Sequence, residues 1–309
     1  MKRALLMIAL SFALAACGTS KSEAPAVDAG GDTEVTFGGA RPVTVRVPAG
    51  YNPKKPAPLV MMLHGYSSSS ALTELYFAMS SIADAHGFLY VAPNGLSDMT
   101  GSRFWNATDA CCDFDHSGVD DAAYLTSVIQ EVQAAYAVDG RRIYIMGHSN
   151  GGFMAHRLAC DHAEIFAAAA SFAGAVWSDA AKCNPSEPIG VLQIHGTKDA
   201  VVAYQGSAGM SAGKDASVLM SRVYPGAEQT IATWAKRNGC AATSVDAPMP
   251  IHVNVDGAGT ETTVSRHEGC LKNGAAELWT VKDAPHIFVL TPAALEQIWS
   301  FFDAHAKAP

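Results

Sequence analysis

At 309 residues the chain has room for one large domain with a sizeable core. It is 49% hydrophobic and 16% charged, a balance that argues against a disordered or coiled-coil protein. Twenty-one Lys and Arg against 29 Asp and Glu give a net charge of −8 with no basic run suited to phosphate backbones, which argues against nucleic acid as a partner.

The chain opens with MKRALLMIALSFALAAC, a positive start followed by an apolar stretch too short and wrongly flanked for a stable transmembrane helix. It reads as an export signal that is not part of the fold. Its end, Leu14-Ala15-Ala16-Cys17, resembles the bacterial lipobox, which implies cleavage before Cys17 and acylation of that thiol. The plainer alternative is an ordinary small-residue cleavage site. Gly18 follows in place of Asp, which by resemblance to Gram-negative lipoproteins implies the outer membrane. The expected organisation is a signal at 1–17, a flexible tether rich in Ala, Ser and Gly at 18–32, and a single catalytic domain at 33–309. The protein is then exported, either as an outer-membrane lipoprotein or extracellular, and touches a membrane only through a lipid on Cys17.

Apolar runs of strand length follow at residues 43–47, 59–63, 88–92, 143–146, 168–172, 191–194 and 278–281. Amphipathic stretches at about 79–86, 121–136, 152–160, 229–237 and 292–305 predict helices between them. This alternation predicts an α/β fold, a mostly parallel central sheet with helices on both faces. Residues 200–228, rich in Gly, Ser and Ala, read as a long loop or small insertion.

Setting Cys17 aside leaves six cysteines in a compartment that permits disulfides. Cys160 ends the helix after residue 149 and Cys183 precedes the next strand, so a bridge between them would tie that crossing. Cys240 and Cys270 bracket a strand-rich segment and make a second pair. Cys111 and Cys112 are adjacent, and neighbouring Cα atoms across a trans peptide lie about 3.8 Å apart, below the usual disulfide range. Free thiols or another pairing scheme stay open for them.

In an open parallel sheet, chemistry sits beyond the carboxyl ends of the strands. The run IYIMGHSNGGFM places Ser149 there, between Gly147 and Gly151, in the pattern of a nucleophile elbow whose following helix aims its N-terminus at the reacting centre. A serine needs a base and an orienting carboxylate, also on strand-end loops. VLQIHGTKD runs a buried strand into Asp199, and the strand at 278–281 leads to Lys282-Asp283-Ala284-Pro285-His286. The order Ser149, Asp199, His286 is the one this architecture demands. The run LVMMLHGYS ends a strand at His64-Gly65-Tyr66, where the Tyr66 N–H is the expected oxyanion donor beside the N–H of Asn150.

With these stations in order, the chain resembles an α/β-hydrolase of the polyhydroxybutyrate depolymerase and feruloyl esterase type. The supporting stretches are LHGYSSS, APNG, FWNATDACCDF, GVDDAAYL, MGHSNGGFMAHRLAC, IHGTKD and IWSFFDAHA. The resemblance implies a secreted serine esterase with no cofactor. Its substrates would be esters of hydroxyacids, polymeric ones included, or aromatic and acetyl esters of plant polysaccharides. One departure is DAPHIFVL around His286, where the family carries a Gly-rich stretch before the histidine and Trp-Pro after it. A peptidase or acyltransferase on the same fold, or a catalytically silent surface lipoprotein, is the alternative.

Other residues compete for roles. His148 precedes the nucleophile, so its ring is expected to point away from Ser149. His195 reads as a packed or hydrogen-bonded partner, and His252 and His267 fall in the excursion between Cys240 and Cys270. The run from Asp113 to Asp121 resembles a calcium loop, but Tyr124 stands where the required Glu would be, so Asp120 or Asp121 reads as a helix cap and no metal site is expected. His64, Trp105 and Trp177 are candidate substrate contacts.

Overall fold

Each of the seven apolar runs becomes a strand in the structure, a computed structural model that describes residues 31–32, 35–209 and 221–308. The export signal, Cys17 and nearly all of the tether lie outside the described residues. In chain order the strands are β1 (Gly31–Asp32), β2 (Val45–Val47), β3 (Ala57–Leu63), β4 (Leu89–Val91), β5 (Leu96–Ser97), β6 (Arg103–Phe104), β7 (Val138–His148), β8 (Ala168–Phe172), β9 (Gly190–Gly196), β10 (Gly206–Ala208), β11 (Val223–Pro225), β12 (Ser244–Asp246), β13 (Thr262–His267) and β14 (Ala275–Val281). The helices are α1 (Ser70–Phe77), α2 (Met79–His86), α3 (Asp121–Ala135), α4 (Asn150–Asp161), α5 (Ala227–Arg237) and α6 (Pro292–Ala304).

Ten strands form one sheet in the order β1-β2-β4-β3-β7-β8-β9-β14-β13-β12. The middle six, β4 to β14, run parallel, and the outer two on each side are antiparallel. The β1 pairing uses Gly31 and Asp32, so the end of the expected tether lies in the sheet. β3, β8 and β9 are buried along their whole length, as a strand covered on both faces must be. One core cluster joins α3, α4 and α5 to one face through residues such as Ile129, Phe153 and Trp234. A second joins α2 and α6 to the other through residues such as Ile82, Trp299 and Phe302. Burying each large apolar side chain contributes about 1.5–3 kcal/mol, set against the entropy of ordering the chain.

The sequence reading places no helix at α1. Its eight residues follow a serine run and end on Ala78 at φ 43, where α2 begins at once, so two short helices share a left-handed joint. Ser69 caps α1 by accepting from Leu72 N–H. Within 200–228, β10 and β11 pair as a small hairpin, while 210–220 lie outside the described residues. Among the described residues no helix is long and apolar enough to cross a membrane.

Cys160 bonds Cys183 and Cys240 bonds Cys270. Cys111 and Cys112 bond each other across a cis peptide that brings their Cα atoms to 3.0 Å, closer than the trans geometry behind the sequence reading. Asp120 caps α3 by accepting from Ala123 N–H, while Asp121 is taken up by Arg41 and by Asn106 N–H. Asp113 accepts from Ser117 and Gly118 N–H and so closes a turn within the calcium-like run, while Asp115 accepts from Met99 N–H.

Candidate active site

Ser149 stands at the joint of β7 and α4 with φ 56 and ψ −119, a conformation that side-chain-bearing residues rarely adopt. The joint is held by packing that leaves no room for side chains beside it. A Cβ on Gly147 would come 2.2 Å from Gly151 O, and one on Gly151 would come 2.3 Å from Leu63 O. Ser149 N–H donates to Phe172 O across the sheet, and Ser149 O accepts from Phe153 N–H to start α4.

Asp199 ends the turn after β9 with its carboxylate fully buried. Oδ1 accepts from Val201 and Val202 N–H, both at 2.8 Å, and Oδ2 accepts from His286 Nδ1 at 2.7 Å. Burial alone would raise this carboxyl's pKa. Hydrogen bonds and charge from His195 and His286 outweigh it and hold the group well below the usual carboxylate range. An ionised carboxylate only accepts, so His286 carries its proton on Nδ1 and leaves Nε2 free to take another.

Ser149 and His286 line one cavity of about 310 Å³, walled by Tyr66, Tyr76, Phe77, Phe114 and Ile287. No hydrogen bond joins Ser149 Oγ to His286 in this structure, a link that often closes only with substrate bound. Larger grooves of about 680 Å³ at the β12–β13–β14 edge contain neither residue.

Gly65 packs against the serine, since a Cβ there would lie 3.3 Å from Ser149 Cβ. Tyr66 follows on the same wall, and its hydroxyl donates to Asp98 Oδ2. On the other side the first N–H groups of α4, Asn150 among them, have no intrahelical acceptor. The Asn150 side chain is occupied elsewhere. It accepts from Trp105 N–H at 2.7 Å and donates to Trp105 O at 2.9 Å, a clamp on the segment leading to the Cys111–Cys112 pair.

Two sequence expectations are corrected by burial and a third by the place of a ring. His64 is fully buried, donating from Nδ1 to Gly65 O and accepting from Gly95 N–H at Nε2, so it braces the turn and meets no substrate. Trp105 is equally buried, with its indole N–H spent on His64 O. His148 does not turn away. Its ring shares the cavity wall with Ser149, lies 4.8 Å from the His286 ring, and donates from Nε2 to His286 O at 3.0 Å. Burial pushes the His148 imidazole down to about 4, so it is a neutral brace for the His286 backbone. Trp177 lines a separate cavity of about 400 Å³ that shares Phe114 with the first. His252 pairs with Glu261 and His267 with Ala241 O, both away from Ser149.

The family profile described as "Esterase PHB depolymerase" matches residues 44–206, just over half of the chain. "Feruloyl esterase B" of Piromyces equi is 32% identical over 65% of this chain and 36% of its own length, so the chain spans about a third of that relative. "Feruloyl esterase D" of Neurospora crassa is 25% identical over 91% of this chain and 87% of its own. The solved structure of an acetyl xylan esterase from Aspergillus awamori superposes with a TM-score of 0.60 at 15% identity, covering 89% of this chain and all of that one, which supports the α/β-hydrolase fold. The chain belongs to the esterase PHB depolymerase family.

Proposed function

We propose that the protein is an exported serine ester hydrolase that works through an acyl-enzyme on Ser149. The observation that carries this reading is the 2.7 Å bond from His286 Nδ1 to the buried Asp199, in the wall of the cavity that holds Ser149 in its strained turn. Ser149 Oγ attacks the ester carbonyl carbon as its proton passes to His286 Nε2. The N–H groups of Tyr66 and Asn150 hold the oxyanion. When the carbon–oxygen bond to the alcohol breaks, the alcohol leaves with the proton from His286. Water then repeats the sequence, giving the free acid and restoring Ser149.

The cavity's aromatic and aliphatic walls suit an aromatic acyl group, in keeping with the feruloyl esterase names of two relatives. The neighbouring cavity beside Trp177 takes the alcohol side, a sugar of a plant polysaccharide. Acetyl esters and hydroxybutyrate oligomers are the competing substrates. The three disulfides fit an oxidising compartment outside the cytoplasm, and Cys17 supplies the lipid anchor.

The test is titration with a fluorophosphonate probe, together with turnover of methyl ferulate, p-nitrophenyl acetate, acetylated xylan, hydroxybutyrate oligomers and peptide amides. One probe per chain, lost in Ser149→Ala, is expected, with methyl ferulate the best substrate. Labelling that survives Ser149→Ala refutes the mechanism.

A further inference from the structure

Behind Asp199 a line of buried polar side chains runs through the core from α5. Trp234 Nε1 donates to His156 Nδ1 at 3.0 Å, and His156 Nε2 lies 2.9 Å from Gln193 Oε1. Gln193 Nε2 lies 3.2 Å from His195 Nδ1 and 2.9 Å from Gly174 O. His195 Nε2 lies 2.8 Å from Val202 O, with Asp199 Oδ2 at 3.3 Å from the same nitrogen. Trp234, His156, Gln193 and His195 are each no more than 1% exposed.

The proton on every atom of this line follows from its two ends. An indole N–H only donates, so His156 Nδ1 accepts. Burial pushes the His156 imidazole down to about 4, so near neutral pH its single proton sits on Nε2 and goes to Gln193 Oε1. The amide nitrogen of Gln193 then faces the other way, an orientation fixed a second time by Gly174 O, which only accepts. His195 Nδ1 therefore receives an N–H and keeps its lone pair. The His195 proton is left on Nε2, aimed at Val202 O. Val202 N–H in turn donates to Asp199 Oδ1, so the histidine grips the turn that grips the carboxylate.

We propose that Trp234, His156 and Gln193 lock His195 in its Nε2–H tautomer, and that His195 so locked is a positioning residue that keeps Asp199 aimed at His286. The proposal rests on the reading of Ser149, His286 and Asp199 as nucleophile, base and orienting acid. The opposite tautomer would set two N–H groups against each other at Gln193 and a bare lone pair against Val202 O and the carboxylate. In a buried site such mismatches open the turn, because no water is at hand to relieve them.

Two-bond proton–nitrogen correlation spectra of the nitrogen-15-labelled protein near neutral pH read the tautomers directly. Both His156 and His195 are expected as neutral Nε2–H rings, and a His195 proton on Nδ1 overturns the proposal. In Gln193→Leu the His195 signal should shift toward a mixture of tautomers. Its kcat on methyl ferulate should fall about tenfold with KM within about twofold. A wild-type kcat in that variant overturns the proposal. His195→Gln, which can carry an N–H to Val202 O, should keep kcat within about threefold of wild type, while His195→Phe should lose tenfold or more. Equal kcat values for these two variants overturn the positioning role. Turnover surviving in Ser149→Ala would instead refute the underlying catalytic reading, and the spectrum of the intact protein stands independent of it.

Discussion

Asp199→Asn separates the charge of this side chain from its shape. The carboxylate's Oδ1 is pinned by two backbone N–H groups at 2.8 Å, from Val201 and Val202. An asparagine must place its carbonyl oxygen there, since turning the amide over would set its NH₂ against both donors and cost about 1–3 kcal/mol for each one left unsatisfied. The NH₂ is thereby forced into the Oδ2 position, 2.7 Å from His286 Nδ1. That nitrogen must then accept, and the His286 proton moves to Nε2, where it faces Ser149 and blocks proton transfer. A wrong tautomer of this kind in another serine hydrolase lowers kcat about 10⁴-fold, or about 5.5 kcal/mol at 1.36 kcal/mol per decade. The expected loss here is about 10³- to 10⁴-fold in kcat on methyl ferulate, with an unchanged circular dichroism spectrum. A variant that folds and stays within tenfold of wild type would refute both the orienting role of Asp199 and the tautomer argument.

Asn150→Ala keeps the backbone N–H but strips both side-chain bonds from Trp105; Trp105 O still accepts from Cys112 N–H, so one buried donor, Trp105 N–H, is left unpaired at about 1–3 kcal/mol. Calorimetry should show Tm lower by about 2 °C or more, and a shift under about 1 °C contradicts the clamp. His64, His148 and His156 each fall to about 4 from 6.5 on folding, so the unfolded chain gains protons first. Stability should be full above about pH 6.5 and decline as pH drops toward about 4, read as a falling urea midpoint; a midpoint flat over that window contradicts the burial of these rings. Replacing Cys160 and Cys183 together by Ser opens a link between positions 23 apart and should cost about 3 kcal/mol in chemical denaturation, a loss absent if the bridge does not form in solution. Trp177→Ala should raise KM for a feruloylated polysaccharide while leaving methyl ferulate unchanged, and equal effects on both would remove Trp177 from the alcohol side.

Much of this protein is legible in consecutive residues. The apolar runs mark the parallel strands because a strand buried on both faces needs an unbroken apolar segment, and β3, β8 and β9 are buried throughout. Ser149 stands out because the elbow needs glycines on both sides within five residues. Asp199 and His286 follow from their places after strands, and Cys160 and Cys183 from the crossing they flank. The elements that escape notice are short or lack periodicity: α1 after its serine run, the edge strand β1, and the small pairs β5–β6 and β10–β11, while β12 and β13 show only as a strand-rich segment between Cys240 and Cys270.

What only the tertiary structure decides is which distant polar atoms meet. His64, read beside the substrate, is sealed under Gly95, and His148, read as turned away, braces His286. The line from Trp234 to Asp199 joins residues 78, 37 and 2 positions apart before it reaches the turn. No local pattern announces such contacts, since they depend on the register of β8, β9 and β14 and on how α4 and α5 lie across them. A side chain's preference for burial is written in its own chemistry, but the partner that satisfies a buried donor is set by packing among segments far apart in the chain.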